Sequence, residues 1–145
     1  MPSSDSHTSS AEQGRLFGDC PCGSGKTYGD CCRLYHTGKA IPTTAEVLMR
    51  SRYSAYFFRL TDYLYATTHP DNRSLEMKAE LERTIDDYLW RKLSIISVSK
   101  GTAEDKKGKV EFIAQFHHNG NFDELHEHSR FRKVRGSWKY LDAKV

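Results

Sequence analysis

Cysteine is absent from most of this chain, and long apolar runs are absent from all of it. All four cysteines among the 145 residues fall within positions 20–32. No apolar run approaches the roughly 20 residues that a membrane-spanning helix needs. The first residues are polar and rich in serine, without the basic and then apolar pattern of a signal peptide. These absences predict a protein with no membrane span, and we expect it to be cytoplasmic.

A strong excess of charge is also missing. The net charge is +3, and the whole basic excess lies in residues 93–145, which carry ten basic and seven acidic groups. A dedicated nucleic-acid-binding domain concentrates its positive charge in a patch or stripe. The weak bias is better explained by solvated surface, although nucleic-acid binding stays open as an alternative function.

The four cysteines, Cys20, Cys22, Cys31 and Cys32, have the spacing of metal ligands. Zinc takes four thiolates in closed tetrahedral sites, and glycines between the cysteines let the backbone approach such an ion. In a reducing cytoplasm, four close cysteines are more often metal ligands than disulfides. We therefore predict one structural Zn²⁺. Two disulfides are the alternative for a secreted protein, and His36 is an alternative fourth ligand.

Two stretches of the chain resemble known families. The run CPCGSGKTYGDCC over residues 20–32 resembles the SEC-C motif, the zinc-binding tail known from the bacterial secretion ATPase SecA. The segment from MRSRYSAY at 49–56, through EHSRF at 127–131, to WKY at 138–140 resembles the YchJ-like family of small bacterial proteins. That resemblance implies a cone-shaped fold similar to nuclear transport factor and ketosteroid isomerase. It also implies a protein or ribonucleoprotein partner, because SEC-C knuckles of secretion proteins are associated with contacts to a chaperone and to ribosomes.

The sequence divides into a disordered tail over 1–17, a SEC-C zinc knuckle over 18–36 and a YchJ-like cone domain over 43–145. A capping box at 43–46 predicts the start of a helix that runs to about residue 60. Further elements follow in order: helices over 62–67 and 75–93, then strands over 94–100, 109–118, 122–134 and 137–143. The fold class is α+β, with a curved four-stranded antiparallel sheet on N-terminal helices, as in nuclear transport factor-like and cystatin-like folds.

Turn residues predict the strand register. Asn-Gly at 119–120 favours a two-residue type I′ hairpin, which places Phe112 opposite Glu127. Arg-Gly at 135–136 makes a second such turn, which places Ser129 opposite Asp142. Because side chains alternate with a period of two, Glu127 and Ser129 then lie on the apolar inner face of the sheet.

The first long helix also has a polar residue on its apolar inward face, because that face includes Arg52. A buried arginine needs a partner, and Glu127 on the facing sheet is the candidate for an ion pair. In a second interpretation, these polar groups line a small-ligand pocket inside the cone. The candidate pocket residues are Arg52, Tyr53, Tyr56, Glu127, Ser129, Trp138 and Tyr140.

Three function classes fit these features. The leading hypothesis is a binding or adaptor module, in which the knuckle docks a protein or ribonucleoprotein partner through Lys26, Tyr28 and Arg33, with Tyr35 close by. The cone would supply a stable body with room for a small ligand. An enzyme that uses Glu127 as acid or base is the first alternative, and nucleic-acid or ribosome binding is the second.

Binding is favoured over catalysis by what the sequence does not contain. A zinc ion held by four thiolates has no open position for water, and no nucleophile with an adjacent base is visible. We assign no catalytic residue and no organic cofactor from the sequence. The oligomeric state is not indicated.

Overall fold

The computed structural model describes residues 16–144. The predicted disordered tail over 1–17 therefore lies outside the described residues, apart from its last two. One of these, Leu16, packs against the cysteine segment. The main elements are helices α1 (Cys32–His36), α2 (Ala45–Phe57), α3 (Thr61–Ala66) and α4 (Leu75–Thr84) and strands β1 (Tyr88–Lys100), β2 (Lys107–His118), β3 (Asn121–Val134) and β4 (Ser137–Lys144).

Helix α2 is the central helix of the molecule. Its N-cap is Thr44, one residue after the position that the capping box at 43–46 predicts, and the Thr44 side chain accepts a hydrogen bond from the Val47 amide at 3.1 Å. It ends at Phe57, earlier than predicted, just before Arg59 takes a positive φ of 60°. Eight of its thirteen residues are buried, because the helix lies between the sheet and the cysteine segment.

The sheet has the order β1-β2-β3-β4, and all of its pairs are antiparallel. The predicted pairing of Phe112 with Glu127 is confirmed. The predicted pairing of Ser129 with Asp142 is wrong, because an irregularity after Arg130 shifts the register by one residue. Asp142 instead lies opposite Arg130, whose guanidinium donates to its carboxylate at 2.6 Å.

The boundary between α4 and β1 differs most from the sequence prediction. The helix predicted over 75–93 ends at Thr84, and β1 begins at Tyr88 after a short 3₁₀ turn, Ile85–Asp87. Pairing with β2 continues to Tyr88, which lies opposite His118, and it overrides the helical pattern. Residues 88–93 thus belong to the sheet, and Trp90 packs against the core.

The main core lies between α2 and the inner face of the sheet. Its buried members are Ala45, Leu48, Met49, Tyr53, Leu93, Val110, Phe112, Ala114, Phe131 and Trp138. Two glycines let the start of α2 approach the β1–β2 hairpin: a Cβ on Gly108 would lie 2.5 Å from the Gly101 Cα, and one on Gly101 would lie 2.7 Å from the Ala45 Cβ. Within residues 16–144, no helix is long and apolar enough to cross a membrane.

Candidate metal centre and cone cavity

The four cysteine sulfurs converge on one point. All of them lie within 4.8 Å of one another, and Cys22 Sγ is 3.6 Å from Cys31 Sγ. Sulfurs bound at about 2.3 Å to one tetrahedral ion are about 3.8 Å apart, so this spacing fits a four-thiolate site. All four cysteines are free thiols in the structure, which disagrees with the disulfide alternative.

The loop between the cysteine pairs turns tightly around the sulfurs. Gly23 and Gly25 have φ angles of 81° and 88°, a region that favours glycine. The Cys20 amide donates to the Lys26 carbonyl at 2.9 Å, which closes the loop. Ser24 Oγ lies 3.1 Å from Cys31 Sγ and is placed to donate to a thiolate there.

Hydrogen bonds among the sulfurs separate their pKa values. Contacts with Cys22 and Cys32 lower the pKa of Cys20, and the same contact with Cys20 raises the pKa of Cys22 to about 11. Hydrogen bonding to Cys20 and Cys22 also raises the pKa of Cys32. These three thiols therefore do not ionise together, and a metal ion must displace protons when it binds.

The knuckle is packed directly on helix α2. Ser54 Oγ donates to Cys32 Sγ at 3.2 Å and lies 3.5 Å from Cys20 Sγ. Arg50 Nη1 donates to the Cys22 carbonyl at 2.6 Å. Because the sulfurs of the knuckle contact a helix of the cone domain, the two parts share buried surface.

His36 is not a metal ligand in this arrangement. Its Nε2 lies 2.8 Å from the Ser51 carbonyl, which can only accept, so Nε2 carries the proton. Its Nδ1 then accepts from the Tyr28 hydroxyl at 2.7 Å. Both ring nitrogens are engaged, and the alternative in which His36 replaces a cysteine is wrong.

The three predicted partner-binding residues differ in exposure. Tyr28 is only 4% exposed, and its ring packs on Phe58 at 4.6 Å between centroids. It therefore stabilises the knuckle and offers no surface to a partner, which corrects the sequence prediction. Lys26 is exposed and Arg33 is half-buried, and these two remain as candidates.

A cavity of about 430 Å³ lies between α2, α4 and the sheet. Six of the seven candidate pocket residues line it: Arg52, Tyr53, Tyr56, Glu127, Ser129 and Tyr140. Trp138 is the exception, because it is buried in the core and its Nε1 donates to the Thr43 carbonyl at 3.1 Å. Trp90 and Tyr88 also line the cavity. The sequence analysis missed both because it assigned them to a helix.

The predicted ion pair between Arg52 and Glu127 is wrong. No salt bridge joins them, and Arg52 Nη1 instead donates to the Leu64 carbonyl at 2.9 Å and to Thr67 Oγ1 at 2.7 Å. The guanidinium also lies over the Tyr140 ring, 4.6 Å from its centroid. Burial lowers the pKa of Arg52. The side chain points to the end of α3, whose position relative to α2 the sequence did not specify.

Glu127 is left on the cavity wall without a cation. Burial raises the pKa of its carboxyl, and within residues 16–144 this carboxyl has no ion pair or hydrogen bond. Burial and the nearby Glu127 charge raise the pKa of Tyr140 to about 12. The cavity therefore holds a carboxyl group that is easier to protonate than a surface glutamate.

Glu111, His126 and His128 form a separate cluster on the outer face of the sheet. Glu111 Oε2 lies 2.7 Å from His126 Nε2 and 3.6 Å from His128 Nε2, and Ser97 Oγ donates to the other carboxylate oxygen at 3.0 Å. The hydrogen bond to His126 lowers the pKa of Glu111. Both histidines are more than half exposed, and the hydrogen bonds from Ser97 and His126 already engage both oxygens of the Glu111 carboxylate.

Known proteins match both parts of this structure. The model of the middle, NTF2-like domain of YchJ matches residues 44–143, and the SEC-C motif matches residues 19–34. The chain belongs to the YchJ-like family. A UPF0225 protein of Geobacter sulfurreducens is 40% identical over 124 residues, which are 86% of this chain and 77% of that protein. One from Vibrio parahaemolyticus is 42% identical over 128 residues, or 88% of this chain and 75% of the relative.

Two solved structures have a similar fold over most of the chain. The solution structure of a SEC-C motif containing protein from Rhodopseudomonas palustris has a TM-score of 0.79 and 36% identity, and the match covers 87% of this chain and 97% of that one. The crystal structure of a SEC-C motif containing protein from Psychrobacter arcticus has a TM-score of 0.77 and 28% identity, with 88% and 82% covered. The YchJ-like chain thus has an NTF2-like α+β fold with a cysteine knuckle that can hold a metal ion.

Proposed function

We propose that this YchJ-like protein is a zinc-braced binding module whose knuckle docks a protein or ribonucleoprotein partner. The observation that carries the proposal is the closed set of four converging sulfurs packed on α2. Four thiolates complete the shell of a zinc ion and leave no position for an activated water. The metal would therefore hold a recognition surface in place and take no part in a reaction.

A groove beside the knuckle is the best surface for docking. It has room for about 570 Å³ and runs between residues 18–23 of the knuckle and strand β1. Phe57, Phe58 and Leu93 line it together with two basic residues, Arg91 and Lys92, and one acidic residue, Asp19. An apolar lining with basic groups fits an acidic partner segment that carries apolar side chains. Lys26 and Arg33 on the knuckle add positive charge.

The metal part of the proposal is tested by native mass spectrometry. We expect one zinc ion per chain, released by a strong chelator and absent from a Cys31→Ser, Cys32→Ser variant. Cobalt substitution should give the intense visible absorption of a tetrahedral thiolate site. A protein whose mass is the same with and without chelator would contradict the zinc assignment.

The docking part is tested by affinity capture with the zinc-loaded chain and charge-reversed variants. Arg91→Glu with Lys92→Glu, and Lys26→Glu with Arg33→Glu, should lose a captured partner while zinc content stays the same. Lys100→Glu with Lys106→Glu, at the end of β1 and in the turn that follows it, is the matched control. Equal capture by all variants would reject this surface. Loss of capture after nuclease treatment, with a steep dependence on salt, would favour the nucleic-acid alternative.

The enzyme hypothesis keeps one supporting observation. The carboxyl of Glu127 is not neutralised by Arg52, so it is available for proton transfer inside the cavity. A metabolite screen with Glu127→Gln as the negative control tests it. Turnover that the substitution abolishes would replace the docking proposal with catalysis in the cone.

A further inference from the structure

The two central strands of the sheet bring three metal-binding side chains together on its outer face. His126 and His128 are two residues apart on β3, so both lie on one face. Glu111 on β2 lies directly opposite His128, and its neighbours Val110 and Phe112 are buried in the core, which places Glu111 on the outer face. Because β2 and β3 each pair with a strand on both sides, the sheet holds these three positions firmly.

The distances among the three ligand atoms fit a single ion. Glu111 Oε2 lies 2.7 Å from His126 Nε2 and 3.6 Å from His128 Nε2, and all three atoms lie within 4.8 Å of one another. Two ligands bound at about 2.1 Å to one ion are about 3.0 Å apart in octahedral geometry and about 3.4 Å apart in tetrahedral geometry. Small rotations of the two exposed rings are therefore enough to bring the three atoms around one ion.

The Glu111 carboxylate is already oriented toward the histidines. Ser97 lies opposite Glu111 on β1, and its Oγ donates to Glu111 Oε1 at 3.0 Å. The other oxygen, Oε2, is the one that approaches both imidazoles. Carboxylate ligands in metal sites are commonly held by a second hydrogen bond of this kind, which fixes the oxygen that binds the ion.

Both imidazoles are available to a metal ion. The 3.6 Å from His128 Nε2 to Glu111 is too long for a hydrogen bond. His126 Nε2 donates to Glu111 Oε2, since a carboxylate oxygen can only accept. Within residues 16–144, the Nδ1 of neither ring makes a hydrogen bond, and both side chains are 54% exposed. The His126 proton can therefore move to the solvated Nδ1 and leave the Nε2 lone pair for the ion, with the ring neutral throughout.

The neighbouring cations oppose a bound ion only weakly. Arg130, the next residue on this face of β3, donates to the Asp142 carboxylate at 2.6 Å, which offsets its charge. Lys144 lies opposite His128 on β4 and is exposed, so water and salt screen it. The negative charge of Glu111 is therefore the dominant charge beside the two imidazoles.

We propose that Glu111, His126 and His128 bind one divalent transition-metal ion on the outer face of the sheet. Imidazole ligands suit Zn²⁺, Ni²⁺ and Cu²⁺, and three protein ligands leave open positions for water or for a donor atom of another molecule. The site is exposed and contains no thiolate, so it binds more weakly than the knuckle and fills only after the four cysteines hold their ion. It is separate from the docking surface and does not depend on it.

Calorimetry with the zinc-loaded full chain and Ni²⁺ as the probe tests the site. We expect one Ni²⁺ per chain while the zinc content stays at one. Glu111→Gln and His128→Gln should each weaken Ni²⁺ binding at least about tenfold, since loss of even a supporting group costs a metal site that factor. Circular dichroism checks that each variant is folded. Equal Ni²⁺ affinity in the parent and both variants, no binding by the parent, or uptake matched by release of zinc would overturn the proposal.

Another histidine of the same strand face supplies the matched control. The chain has seven histidines, and His117 lies on the outer face of β2, six residues or about 20 Å along the strand from Glu111. His117→Gln should bind Ni²⁺ as the parent does. In a long-range ¹⁵N spectrum, excess Zn²⁺ should shift Nε2 of His126 and His128 and leave both nitrogens of His117 in place. A loss of affinity in His117→Gln as large as in His128→Gln would show adventitious surface binding and refute this site.

Discussion

At the scale of single residues, the sequence placed side chains on the correct face but paired them wrongly. Helical and strand periodicity put Arg52 and Glu127 inside the cone, and the structure buries both there at least in part. Periodicity predicts the face of a helix or strand on which a side chain lies, but it does not predict which atoms that side chain contacts. Arg52 reaches the end of α3, and that contact depends on how two helices cross. An ion pair was therefore a reasonable inference from burial, and it is incorrect.

The unpaired state of Glu127 has a measurable consequence for stability. Burial raises its pKa in the folded protein above the unfolded value of about 4.3, so the folded state holds the proton more tightly. Stability contributed by the protonated form is present below that value and is lost as the pH rises through the higher folded pKa. Glu127→Gln should therefore raise the melting temperature at pH 7, and the gain should shrink toward pH 4.

Thermal unfolding followed by circular dichroism between pH 4 and pH 8 measures this effect. Glu124→Gln is the control, since Glu124 is an exposed carboxylate on the same strand. It should show no comparable gain at pH 7. A Glu127→Gln variant that melts at a lower temperature than the parent at pH 7 would indicate that the carboxylate has a stabilising cationic partner.

At the scale of elements, turns were predictable and the start of β1 was not. The hairpin at 119–120 gave the pairing of β2 with β3 because a two-residue turn leaves one register. No sequence pattern indicates the irregularity after Arg130. It shifts the pairing of residues 128–130 of β3 with the end of β4 by one residue. Residues 88–93 join β1 because β2 pairs with them, and Trp90 on the cavity wall was missed for that reason.

Helix α2 contacts the knuckle with one face and lines the cavity with another. Arg50 and Ser54 contact the cysteine loop, whereas Arg52 and Tyr53 line the cavity. The contact of Ser54 with Cys32 supports a metal ligand from outside the knuckle. We predict that Ser54→Ala weakens zinc binding by about 10-fold to 100-fold, as the loss of such supporting hydrogen bonds does in other metal sites.

Competition with a chromogenic chelator measures that change in zinc affinity. Ser51→Ala is the matched control in the same helix, because the Ser51 hydroxyl bonds to the Leu48 carbonyl and the Tyr63 hydroxyl and contacts no cysteine. It should reduce stability without changing zinc affinity. If both variants bind zinc as the parent does, the contact between Ser54 and Cys32 has no role in the metal site.

At the scale of the whole molecule, the question is whether knuckle and cone form one folding unit. From the sequence alone, a short segment that carries all four cysteines predicts that metal removal disorders residues of about 18–36 and leaves the cone folded. The structure instead packs Cys20 and Cys32 against α2, and His36 bonds to its backbone. Metal binding stabilises the folded state, including the contacts between the metal site and the residues packed against it. We therefore expect loss of the metal to destabilise the cone domain as well as the knuckle.

Hydrogen–deuterium exchange with and without chelator tests this prediction. Chelation should increase exchange in the knuckle and also along residues 50–57 of α2, because the contacts that cover this face are lost. The hairpin of β2 and β3 serves as the internal reference, since its core contacts lie on the other side of α2 and its exchange should stay slow. The melting temperature should fall in the same samples. Faster exchange confined to residues 16–36 would mean that the cone folds independently of the metal and that the knuckle is a separate unit attached to it.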